Sequence, residues 1–163
     1  VGNKNRFKPN SVILDAAFID RPAYTLNQKH RGARRAGLLF EEKVGWYLEK
    51  LFGNMVVAGS WIGYFDQQNG DRLCSPDYLI VDVRKGVVTI VECKLSHTQD
   101  AWLQINDVYM PVVKFLFPGF EVRGIEICKN FERSRHYPVV PRIVCNLENA
   151  FRGGDNVMAL RDI

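Results

Sequence analysis

Hydrophobic and polar positions follow three patterns along this chain, and each predicts a different element. Between 36 and 52, Phe40, Val44, Tyr47, Leu48 and Leu51 recur at three- and four-residue steps, the spacing of one helix face, and Gly53-Asn54 supplies a stop. Leu38, Glu41, Gly45 and Leu48 lie along a neighbouring line, so an acid, Glu41, borders the apolar stripe. Between 78 and 91 two runs rich in apolar, β-branched residues are separated by a short polar turn that contains Gly86. Tyr78 to Val83 and Val87 to Val91 therefore read as the two strands of a hairpin. Elsewhere the apolar runs are shorter. Residues 55–65 predict a strand with a glycine-marked bend, 66–72 a polar loop, 98–117 a helix that Pro111 kinks or restarts, and 121–129 a further strand. Arg142 to Cys145 reads as a last strand and 147–151 as at most one helical turn. Residues 1–35 show no clear period, and the stretch 11–18 fits a strand or a short helix equally well.

The hairpin gathers the chemistry. A two-residue loop at Lys85-Gly86 pairs Arg84 with Val87, which puts Asp77 opposite Lys94 and Leu79 opposite Glu92. Opposed residues share a face, as do residues two apart on one strand. Asp77, Glu92 and Lys94 then project from one face at one end, while Cys93 points the other way. Opposed Cβ atoms lie roughly 5 Å apart and diagonal ones about 7–8 Å, close enough for two carboxylates to hold one cation. Side-by-side carboxylates resist ionising together, and a divalent ion relieves that repulsion. Hard oxygen donors suit Mg²⁺, which takes one or two carboxylates plus water and substrate phosphate.

Composition narrows the class. The 163 residues suffice for one domain with a real core, and 47% hydrophobic with 25% charged content is ordinary for a globular protein. No apolar run reaches the roughly 18–20 residues that span a bilayer, so no membrane association is expected. Cys74, Cys93, Cys128 and Cys145 form no Cys-X-X-Cys pair, which disfavours zinc and fits an intracellular setting, cytoplasm or nucleoid. The net charge of +4 is uneven. Residues 1–35 hold eight Lys/Arg against Asp15 and Asp20, and the remainder is slightly acidic. A basic leading arm implies a polyanionic partner. Lys29, Arg31, Arg34 and Arg35, with Lys129, Arg133 and Arg135 in a later basic stretch, are the candidate phosphate contacts.

Pro76-Asp77, fourteen residues, then Glu92-Cys93-Lys94 resembles the motif of the PD-(D/E)XK nuclease superfamily, which includes restriction endonucleases, Holliday junction resolvases and phage exonucleases. The resemblance covers roughly residues 36–130 and implies an α/β fold with a restriction-endonuclease-like core, a mixed central sheet flanked by helices. With the charge asymmetry and the Gly153-Gly154 break, it suggests a basic arm (1–35) that matches no core element of the superfamily, a nuclease domain (36–152) and a tail (153–163). It implies metal-dependent hydrolysis of DNA phosphodiesters, with Mg²⁺ or Mn²⁺ held by Asp77, Glu92 and the backbone carbonyl of Cys93, and with Lys94 positioning or activating water. The Gly-x-x-Phe-Glu run resembles the superfamily's first-helix acid, which assigns Glu41 a further part at the metal site. Gln104 and Tyr109 resemble a Gln–Tyr pair of the exonuclease branch, with four intervening residues here against three there. No sequence-reading motif accompanies the site, which favours structure-selective, resolvase-like or weakly specific cutting. Resolvases act as homodimers, and Phe115 to Phe117 are the apolar candidates for such a contact. The alternatives are a phage-type exonuclease and a catalytically inactive DNA-binding or assembly factor on the same fold.

Overall fold

A computed structural model describes residues 12–96, 99–130, 143–145 and 157–158. The fold is mixed α/β, and the described residues form two sheets and two long helical segments. The larger sheet runs in the order β2 (Val56–Ala58), β5 (Tyr78–Asp82), β6 (Val87–Ser96), β7 (Glu121–Asn130), β8 (Ile143–Cys145), β9 (Val157–Met158). β5 runs antiparallel to both of its neighbours, β2 and β6, and β6 to β9 are parallel. The smaller, antiparallel sheet joins β1 (Ile13–Ile19), β3 (Trp61–Asp66) and β4 (Gly70–Cys74) in the order β1-β3-β4.

Helix α1 (Gly32–Phe52) packs on one face of the large sheet. Phe40, Val44 and Leu48 are buried against Tyr78, Ile80, Val91, Ile125 and Ile127. Each such side chain contributes about 1.5–3 kcal/mol. Gly53, at φ +56°, ends the helix and returns its N–H to the Glu49 carbonyl. The helix begins four residues earlier than the periodicity predicts, so Arg34 and Arg35 belong to its first turn. Leu51, expected on the buried face, is exposed.

The other face is covered by a helical segment in three parts: α2 (Gln99–Leu103), a π-helical turn (Gln104–Tyr109) and α3 (Met110–Leu116). Ile105, Tyr109, Val112 and Val113 pack against Leu79, Val88, Ile90 and Val122. Pro111 sits at the start of α3, where its missing N–H breaks no ladder.

Several expectations are corrected. Residues 13–19, expected to belong to a leading arm, form β1 and pair with β3, and of that arm residues 1–11 lie outside the described structure. The stretch 55–65 is two strands in different sheets, separated at Gly59 (φ +61°) and Ser60. The polar loop 66–72 is a hairpin turn over 67–69, with Asp71 and Arg72 inside β4. Asp66 shapes that turn by accepting the Gln68 N–H (2.8 Å) and the Asn69 amide (2.7 Å). Of the three candidate dimer residues, Phe115 is exposed, whereas Leu116 and Phe117 are half-buried in the second core. Arg133, Arg135, the 147–151 turn and the 153–156 and 159–163 parts of the tail lie outside the described residues. Among the described residues no helix is long and apolar enough to cross a membrane.

Candidate active site

The site lies where the β5–β6 hairpin leaves its turnless end. The hairpin register differs from the expected one. Tyr78 pairs with Val91 and Asp82 with Val87, so the connection spans the four residues 83–86. Asp82 is the cause. Its Oδ1 accepts the Lys85 N–H (3.1 Å), which starts the turn early, and Gly86 supplies the positive φ of 64° that closes it. A slip of two residues preserves every face assignment, since side chains alternate with period two. Asp77 lies one residue outside β5, in the bend that enters it, and its charge is felt by Glu92.

Asp77 Oδ2 accepts the backbone N–H of Cys93 at 2.7 Å, tying the acid to the strand that carries its partner. Glu92 is 3% exposed, and its Oε1 accepts from Lys94 Nζ at 2.7 Å. Its other oxygen, Oε2, is buried with no hydrogen-bond partner. A buried unpaired carboxylate oxygen is costly, on the order of 1–3 kcal/mol or more. Cys93 points to the opposite face and packs with the α1 core.

The electrostatics reflect crowded acids in a dry place. Burial, then Asp77, pushes Glu92 up to about 8 against the pull of Lys94. Burial also raises Asp77, opposed by the Cys93 N–H and Lys94. Burial alone would lower Lys94, but Glu92, Asp77 and Glu126 outweigh it and keep the ammonium charged. Glu41 lies on α1, on the far side of the sheet, yet burial and Asp77 push it up to about 7. Its position is set by packing. Tyr78 Oη donates to the Glu41 carbonyl (2.8 Å), and the Tyr78 ring lies against Gly45, where a Cβ would sit 2.8 Å from Cζ.

Glu126 escaped the sequence reading. In the parallel β6–β7 register it neighbours Glu92, so it shares that face, and it is fully buried. Its strand reads as an apolar run, and only the pairing with β6 reveals where its acid falls. The period-two series Val122, Gly124, Glu126, Cys128 was the available signal.

Gln104 and Tyr109 do come together. Five residues apart, they would diverge on an α-helix, but the π turn closes at i→i+5. Gln104 Nε2 donates to Tyr109 Oη, which in turn donates to the Ser75 carbonyl at 3.2 Å. That bond fastens the helix to the Ser75-Pro76-Asp77 approach. The basic candidates Lys29, Arg31, Arg34, Arg35 and Lys129 are exposed, and Arg34 reaches Gln28 at 3.4 Å.

The donor set suits a hard divalent ion in the two-carboxylate manner. The orphaned Glu92 Oε2 and the Asp77 oxygen not bonded to Cys93 are the two atoms that could ligate one. Among the described residues no three of His, Cys, Asp and Glu gather as a ligand cluster, so Glu41 and Glu126 do not complete one. No protein-family model matches the chain, and no curated protein or solved structure matches it either.

Proposed function

We propose that this chain is a divalent-metal-dependent deoxyribonuclease of the PD-(D/E)XK type, hydrolysing DNA phosphodiester bonds in a structure-selective or weakly sequence-specific way. The observation that carries the reading is the unpartnered, buried Glu92 Oε2 beside Asp77 and a charged Lys94. A fold selected only for stability would satisfy or remove such an oxygen. The mixed sheet, with an antiparallel hairpin feeding parallel strands and a helical layer on each face, is compatible with a restriction-endonuclease-like core.

Asp77, Glu92 and the Cys93 carbonyl would hold Mg²⁺ or Mn²⁺. Once bound, the ion supplies Lewis-acid stabilisation of phosphate charge and a more acidic water. The chain does the rest. Asp77 is pre-oriented by the Cys93 N–H. Glu92 fixes the Lys94 ammonium, which offers donors to a phosphate oxygen or to the attacking water. Glu41, poised about 7, can hold or release a proton at neutral pH from the sheet's other side. The exposed Lys29, Arg31, Arg34 and Arg35 and the exposed Lys129 supply sequence-independent grip on the phosphate backbone.

A second reading, an exonuclease of the same superfamily, gains from one observation. The π turn restores the Gln104–Tyr109 pairing that the extra intervening residue would otherwise have destroyed. A panel of labelled junction, flap, duplex and single-stranded DNAs, with Mg²⁺, Mn²⁺ or a chelator, separates the readings. Internal cuts at branches support the first and stepwise loss of terminal nucleotides the second. Cleavage by Glu92→Ala at the parent's rate removes both.

A further inference from the structure

A cavity of about 280 Å³ opens between the small sheet and the π turn, and Tyr109 in its wall lies near enough to Glu92 and Asp77 to feel their charges. Trp61, Tyr64 and Arg72 line one side, and Ser75, Gln104 and Tyr109 the other. We propose that this cavity receives a single unstacked nucleobase of the strand being cut, next to the scissile phosphate. The inference rests on the nuclease reading above and adds to it the state of the substrate.

Three features argue for a base. The first is position. Ser75 in the wall lies two residues before Asp77, and its carbonyl is bonded to Tyr109, so the cavity and the carboxylates share one support. A nucleotide whose phosphate lies at Asp77 and Glu92 has its own base within reach of this wall. The second is chemistry. Half-buried indole and phenol rings offer stacking surfaces that any base can use. The Arg72 guanidinium adds a planar cation, and the Gln104 carboxamide suits base-edge hydrogen bonding. None of the described lining residues is a carboxylate, so nothing there repels an electron-rich edge. The third is size. The volume falls just below the roughly 300–1,000 Å³ of ordinary ligand pockets, which suits one planar ring system and excludes a base pair.

A base can enter only when it is unpaired or flipped out of the helix, which is least costly at an end, a mismatch or a single strand. The preferred substrates are therefore flaps, frayed ends, branch points and single strands, rather than the interior of an intact duplex.

The test is an abasic scan. Fluorescein-labelled single-stranded DNAs, each lacking one base at a successive position, are titrated with the full chain by anisotropy, with Ca²⁺ replacing Mg²⁺. The expected result is roughly a 10-fold loss of affinity at one position or two adjacent ones and little loss elsewhere. The loss should vanish in Trp61→Ala and in Tyr64→Ala, whose folding is checked by circular dichroism. A flat parent profile decides against the assignment even if neither variant folds. A flat profile in a parent that binds these strands and cleaves them with Mg²⁺ overturns the cavity assignment and leaves the nuclease reading standing. Absence of both binding and cleavage overturns the two together. A localised loss that persists unchanged in a folded Trp61→Ala and a folded Tyr64→Ala places the base elsewhere and also overturns the assignment.

Discussion

Replacing Glu92 by Gln separates a functional carboxylate from a structural brace, because the two roles predict opposite signs. If Glu92 exists to hold Lys94 in place, breaking the buried pair should destabilise the fold by about 3–5 kcal/mol. The geometry argues otherwise. Burial and Asp77 displace the Glu92 carboxyl from 4.5 to about 8 despite the Lys94 contact, so the metal-free protein prefers this group neutral. At pH 8 the ionised group then carries a penalty with a ceiling of about 4 kcal/mol. Gln removes it, but the new amide nitrogen replaces Oε2 where no partner exists and takes back roughly 1–3 kcal/mol. The net expectation without metal is a gain of about 1–3 kcal/mol at pH 8, or roughly 3–10 °C in Tm. Urea denaturation at pH 8 in chelator measures it directly. Saturating Mn²⁺, at a hundredfold its Kd, should add about 2.7 kcal/mol to the parent and close to nothing to the variant. A metal-free Glu92→Gln protein less stable than the parent by more than about 1 kcal/mol would refute the reasoning.

Other consequences are quicker to check. Glu92 and Glu41 have folded-state values raised to about 8 and about 7, so between roughly pH 4.5 and 8 the folded protein binds more protons than the unfolded chain. Metal-free stability should therefore be greatest near pH 5 and fall as pH rises to 8, with divalent cations flattening the decline; a Tm that climbs over this range in chelator contradicts it. Gly45→Ala places a methyl group against the Tyr78 ring and should cost about 1–3 kcal/mol in denaturant melts. It should also lower cleavage more than a stability-matched change far from α1, because Tyr78 fixes the turn that carries Glu41. Tyr109→Phe deletes the hydroxyl shared by Gln104 and the Ser75 carbonyl, and should cost roughly 1–2 kcal/mol by the same melts. Unchanged stability would mean that the π turn is held by packing alone.

Much of this site is readable in the sequence because strand faces obey parity. The expected turn at Lys85-Gly86 is too short by two residues, yet Asp77, Glu92 and Lys94 still share a face, since a two-residue slip cannot move a side chain across the sheet. The slip itself depends on one side-chain bond, from Asp82 to the Lys85 N–H, and local propensity does not distinguish it from a tighter turn. The α1 core was legible because Phe40, Val44 and Leu48 meet one partner surface at helical spacing. Strand β1 was not, because Leu14, Phe18 and Ile19 are exposed and its pairing depends on β3, more than forty residues away. Glu126 was hidden for the same reason, since parallel pairing brings it to Glu92 from over thirty residues away. The π turn converts a five-residue spacing into one face, and apolar periodicity at 3.6 residues cannot anticipate it.

Mn²⁺ binding is the most direct test of the acid pair as an ion site. Calorimetric titration of the parent, Asp77→Asn and Glu92→Gln at pH 8 should show one saturable ion per chain in the parent and its loss in each variant. A parent that takes up no ion, or variants that bind as tightly as the parent, would contradict the account.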